Sequence, residues 1–281
     1  MKTFLAIFPL LTLVASAQGP LLPSTAIDPK IGPVAPLNGS SAPQPVMKTL
    51  HQVEPRIPLV SGSPGVTIAS GTISIAASGS YYLTGNLAVG SGNNGININV
   101  SGVTVDLCGF TISSTSSPAS GTGIQSSSNQ VNILNGNILC SGLISAAGAF
   151  SGQGFSICVN SSGNQTRISG LNVSGGSDYG IRATISSTSL VEGCTVNHCL
   201  QGIEANIITR CAASDIGTVG LKSYNVSNST ARSNIGIAIY ADIVSNSNGS
   251  TNGTTSGGMG IFAPGSISYS YGSSGGGSSF G

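Results

Sequence analysis

The stretch "GIEANIITRCAASDIGTVGLK" (202–222) begins and ends on the same phrase, a glycine, an aliphatic residue and a charge. Short β-branched runs broken by small polar residues lie between the two. The phrase recurs as Gly95-Ile96-Asn97, Gly123-Ile124-Gln125, Gly180-Ile181-Arg182, Gly202-Ile203-Glu204, Gly220-Leu221-Lys222, Gly236-Ile237-Ala238 and Gly260-Ile261-Phe262. From Gly180 onward it returns at intervals of roughly 20 residues, within the range of known solenoid repeats. A second alternating run follows most of them, such as "VTVDLCGFTI" (103–112) and "VNILNGNIL" (131–139). A unit this short holds two or three strands and cannot bury its own apolar face, so the units must stack. Coils stacked about 4.8 Å apart, with aliphatic side chains piled inside, make a parallel β-solenoid. A β-propeller needs blades of about 40–45 residues with aromatic markers. Here the period is half that, and only 5% of residues are aromatic.

Composition agrees. Only 6% of the 281 residues are charged, against roughly a quarter in an ordinary globular protein. The 39% of apolar residues argues against disorder. Glycine, at 41 residues, favours tight turns. A net charge of +1 supplies no field to attract nucleic acid.

Lys2 precedes the apolar run "FLAIFPLLTLVA" (4–15), and "ASA" (15–17) offers small residues for cleavage near Ala17, the pattern of a secretory signal. The run is too short to span a bilayer and no later one is longer, so no membrane span is expected. Eleven of the thirteen prolines lie at or before Pro64, which predicts a Pro-rich linker or leader. The expected organisation is a signal peptide (1–17), a linker (18–56), a solenoid of about nine rungs (57–265) and a Gly/Ser-rich tail (266–281). The expected location is extracellular, at the cell surface or in the periplasm, where disulfides persist.

"GSYYLTGNL" (79–87) followed by "NGININVSGVTVDLCGFTI" (94–112) resembles the opening of secreted bacterial right-handed parallel β-helix repeat proteins. "MKTLHQVEPRIPL" (47–59) is similar to the leader that precedes that domain. The resemblance runs from about residue 47 to 265 and implies an all-β, right-handed parallel β-helix of the pectate-lyase-like structural class. That class contains lyases, hydrolases, epimerases and adhesins, so fold alone does not assign a function.

A lyase of the class implies carboxylates binding Ca²⁺ beside a basic Arg or Lys. Between residues 57 and 166 the only charged residue is Asp106, so half of the solenoid cannot host that site. Hydrolases of the class are marked by Asp-Asp or Gly-His-Gly elements, which are missing. Charge gathers instead in 167–242. Aligning the glycine phrases puts Asn97, Gln125, Arg182, Glu204, Lys222 and Ala238 in one outward column. Arg182, Glu204 and Lys222 then form a plus–minus–plus ladder, the best catalytic cluster the chain offers. Asp178, Tyr179 and Asp215, placed in or beside the turns entering those strands, are candidate binding residues. The alternative reading is a surface ion-pair ladder, and it is preferred, because catalysis needs burial that shifts a pKa. The expected function is therefore a noncatalytic secreted solenoid, structural or in contact with a polysaccharide or cell-surface glycan. The alternative is a polysaccharide lyase or glycoside hydrolase, which alone would require Ca²⁺. No other cofactor and no resident metal are expected.

Cys194, His198, Cys199 and Cys211 superficially resemble zinc ligands. In the repeat phase, however, Cys194 and Cys211 superpose, in a column shared with Cys108, Gly136, Leu171, Ser229 and Ser247. Cys199 belongs to another face, and a zinc site needs convergent ligands. Cys108, Cys194 and Cys211 are thus expected to be small residues of one core column, with a Cys194–Cys211 bridge sterically allowed.

Overall fold

A computed structural model describes residues 56–184, 188–252 and 258–275. The expected signal peptide, and the expected linker up to residue 55, lie outside the described residues. Among those described there is no helix, and hence none long and apolar enough to cross a membrane. The strands form one large, mostly parallel sheet with solenoid-like connectivity.

Three faces repeat in order along the chain. Face A starts at Thr72–Ile75, pairs with Ile96–Ile98 and then Thr122–Ser126, and continues through Phe155–Ser161, Gly176–Ala183 and Gln201–Glu204. The first parts of Leu221–Ser227 and Ile237–Ser245, and Met259–Phe262, complete it, while the far ends of the first two continue face B. Face B passes from Gly79–Tyr82 through Val103–Asp106, Val131–Leu139 and Arg167–Ser174 to Leu190–Glu192 and Ile207–Thr209. Face C includes Thr111–Ser114, the far ends of Val131–Leu139 and Arg167–Ser174, then Thr195–Asn197, Ala212–Ile216, Thr230–Ser233 and Asn248–Thr251.

The register stacks like on like. On face A, Ile96, Ile124, Val159, Ile181, Ile203, Leu221 and Ile239 are successive partners, and all are buried. Face B contributes Val105, Ile133, Ile168, Val191, Ile208, Val226 and Val244. β-Branched side chains suit this pleated interior, and each one fully buried contributes about 1.5–3 kcal/mol. On face C the inward column shrinks along the chain, from Ile138, Val173 and Val196 to Ala213, Ala231, Gly249 and Gly272.

The repeating glycine has a steric cause. A Cβ at Gly220 would stand 2.5 Å from the Ala238 carbonyl oxygen and 2.9 Å from the Ala231 Cβ, and one at Gly95 would stand 2.5 Å from the Gly123 oxygen. The next coil passes too close for any side chain. Gly236-Ile237 is out of phase with the other glycine phrases: Leu221 pairs with Ile239, so Tyr240, not Ala238, follows Lys222 on the outer face. The short interval from Gly220 to Gly236 reflects that offset.

Two hairpins depart from the parallel pattern. Val66–Ala69 runs antiparallel to Thr72–Ile75 and covers the first edge of face A, where a bare strand would invite association. Leu143–Ile144 and Phe150–Ser151 form the second, which leaves the coil between faces C and A. Asn234 Nδ2 donates to its Ser145 carbonyl at 3.1 Å. Pairing also runs past residue 265, because Ser266–Ser268 joins face B and Tyr271–Ser274 joins face C. The expected Gly/Ser tail from 266 is therefore part of the solenoid as far as Ser274.

Candidate functional site

Strand alternation on face A turns every second side chain outward. In register these are Asn97, Gln125, Asn160, Arg182, Glu204, Lys222, Tyr240 and Phe262. Several neighbours in the column are in direct contact. Asn160 Nδ2 donates to Gln125 Oε1 at 3.0 Å, and Lys222 Nζ lies 3.4 Å from Glu204 Oε2. The Tyr240 and Phe262 rings stack with centroids 5.2 Å apart, spending those faces on each other. Arg182 lies over the Tyr179 ring at 5.2 Å.

The predicted catalytic trio is thus adjacent on three coils, with Glu204 paired to Arg182 on one side and Lys222 on the other. Glu204 is 8% exposed, the most enclosed carboxylate among the described residues. Tyr179 is pushed up to about 12, first by burial and then by the neighbouring Glu204 carboxylate and a hydrogen bond to it. At neutral pH it can donate a proton or hydrogen bond but cannot act as a base. Asp178 accepts from Gln201 Nε2 at 3.2 Å. Within the ladder, Lys222 is engaged with Glu204, and Arg182 with the Tyr179 ring.

Asp215 is not part of this cluster. It lies in Ala212–Ile216 on face C, at an irregularity where register shifts between Ala213 and Ile216. Its carboxylate stands 3.8 Å from His198 Nε2, and His198 Nδ1 is 3.4 Å from Ser174 Oγ. Sequence reasoning missed this Ser–His–Asp row. The row is set by the backbone: Ser174, Asn197 and Ser214 are register partners, and His198 and Asp215 each follow one of them in a left-handed conformation, at φ 53 and 51. The His–Asp separation exceeds a hydrogen bond, and both side chains are more than a third exposed. The row is a polar bridge across three coils.

Cys194 and Cys211 are buried in one inward column, between Leu171 and Ser229. The hydrogen bond to Cys211, and then burial, raise the Cys194 thiol. Cys108 is a correction. It is exposed at φ 51, and Leu107 takes the inward position because this bend is two residues longer than the one carrying Asn135 and Gly136. Cys199 is buried beside Cys158 at the bend between faces C and A, where its Sγ accepts from the Gly176 amide at 3.2 Å. All six thiols are free. Among the described residues no three His, Cys, Asp or Glu side chains converge as metal ligands.

No family model, curated protein or solved structure matches the chain.

Proposed function

We propose that the chain is a secreted, noncatalytic right-handed parallel β-helix of the pectate-lyase-like structural class, serving at the cell surface as a structural or glycan-contacting element. The observation that carries this reading is the commitment of Glu204. Its carboxylate forms an ion pair with Lys222 at 3.4 Å and stands in register beside Arg182, so the one enclosed carboxylate of the ladder is already committed to a cation. Glycosidic hydrolysis requires two carboxylates free to exchange a proton or attack the sugar, and lyase chemistry requires an available base. A surface rich in amides and hydroxyls but poor in net charge suits contact with neutral sugars. The Lys2-led apolar segment and the Pro-rich stretch behind it support export.

One observation favours the alternative, a polysaccharide lyase or glycoside hydrolase: an enclosed glutamate beside two cations and a tyrosine with a displaced pKa. A screen of polysaccharides for unsaturated uronate and reducing-sugar products, with and without Ca²⁺, separates the two. No product is expected. Product formation that disappears in Glu204→Gln would establish the enzyme reading instead.

A further inference from the structure

The bend between faces B and C has the same construction on successive coils. A residue in left-handed conformation comes first: Asn135, Gly170, Gly193, Arg210, Asn228, Asn246 and finally Tyr269, all with φ between 46 and 64. An inward residue follows, and then an outward one. Two shallow depressions, open to solvent, lie on the outer side of this bend. One, of about 400 Å³, is lined by Asn135, Asn137, Asn172 and Thr195 among others. The other, of about 770 Å³, is lined by Asn228, Thr230, Asn246, Asn248, Tyr269 and Tyr271 among others. The outer side of the bend is therefore a shallow, open groove, with one depression towards each end.

The lining chemistry is selective. Neither depression has a charged side chain on its wall. Arg210, between the two depressions, has its guanidinium 2.7 Å from the Glu192 carboxylate. The amides of Asn172, Asn228, Asn246 and Asn248 are exposed, and none hydrogen-bonds to another side chain or the backbone among the described residues. Each of these amides offers two donors and an acceptor. Asn228 and Asn246 repeat the offer on adjacent coils about 4.8 Å apart, with Asn248 beside them, whereas Asn135 and Asn137 already donate to Asp106 and to the Gly109 carbonyl. At the far end Tyr269 is 93% exposed and Tyr271 is 63% exposed. A tyrosine in the left-handed region is an outlier for a bulky residue, and this one projects its ring from the groove.

We infer that this groove binds an extended neutral polysaccharide, with the amide row meeting sugar hydroxyls and Tyr269 and Tyr271 stacking on pyranose faces. Repeating donors and acceptors fit a repeating ligand. Uncharged walls disfavour polyuronates and nucleic acids, which need cations along their length. Exposed tyrosines provide flat apolar area with a polar tip, as a sugar ring requires. The inference rests on the glycan-contacting reading and gives that contact a place, the uncharged bend between faces B and C rather than the charged column of face A.

The full chain, produced in a host without N-glycosylation so that Asn172, Asn228 and Asn248 stay unmodified, is run through affinity gels. The gels contain soluble β-glucan, xylan, mannan or polygalacturonate. Retardation by at least one of the three neutral polymers is expected. Tyr271→Ala combined with Asn248→Ala should weaken that binding at least tenfold without changing the melting temperature. Arg182→Ala and Lys222→Ala should leave it unchanged. Binding that survives the groove variants and is lost in the ladder variants would overturn the groove and keep the glycan reading. Binding to polygalacturonate alone would do the same. No retardation by any of the four would overturn both.

Discussion

Replacing Gly220 by alanine tests the steric account of the repeat. The added methyl would sit 2.5 Å from the Ala238 carbonyl oxygen and 2.9 Å from the Ala231 Cβ. Both obstacles are rigid, one being backbone of the next coil and the other a side chain with no rotamer to change. Overpacking of this kind costs about 1–3 kcal/mol, and the rigidity of both neighbours places Gly220→Ala at about 3 kcal/mol or above. Two other glycines isolate the cause. Gly193 has nothing within 4 Å of an added Cβ but holds φ +58, so Gly193→Ala should cost about 1 kcal/mol for the left-handed backbone alone. Gly85 has open space and no left-handed φ, so Gly85→Ala should stabilise by about 0.4–1 kcal/mol by narrowing the unfolded ensemble. In thermal melts followed by circular dichroism, 1 kcal/mol moves the midpoint of a domain this size by about 2–4 °C. Gly220→Ala should therefore melt about 6–12 °C below the parent. A Gly220→Ala protein melting with or above Gly193→Ala would refute the close-stacking account.

Tyr179 and the thiols give further tests. Because the folded-state pKa of Tyr179 is raised above the ordinary value of 10, to about 12, the folded protein holds that proton while the unfolded chain releases it. Its contribution to stability is complete below pH 10 and is lost as pH rises towards 12. Glu204→Gln should lower the phenolate transition seen by ultraviolet absorbance, and an unmoved transition would remove Glu204 as a cause. With an aromatic disulfide reagent on the native protein, Cys108 should react first and Cys140 more slowly. Cys158, Cys194, Cys199 and Cys211 should react only on unfolding, in line with their burial. Rapid modification of Cys194 or Cys211 would contradict the inward column.

What the sequence made legible was whatever repeats with the coil. The outward alignment of Arg182, Glu204 and Lys222, and the stacking of Cys194 on Cys211, both follow from period and strand alternation. What escaped lies where the period breaks. Two extra residues in the 107–110 bend turned Cys108 outward, and the offset after Gly236 put Tyr240 where Ala238 was expected. Asp215 was misplaced because the register shift around it is a backbone event with no compositional mark. The groove between faces B and C was hidden for another reason. Its residues are ordinary surface asparagines in one dimension, and only a left-handed bend on every coil makes them neighbours along a shallow groove.

The shrinking inward column of face C gives the coil a direction. Between Ile138 and Gly272 the same position loses side-chain volume in stages, so the contact between neighbouring coils weakens toward the C-terminal end. In a structure where each coil holds only its neighbours, such a gradient decides where separation starts. Pulled along its axis, or warmed until it just begins to open, the molecule should unzip from the glycine end and halt where the larger aliphatic residues begin. Amide exchange should record that order as protection rising from Tyr271 back toward Val131.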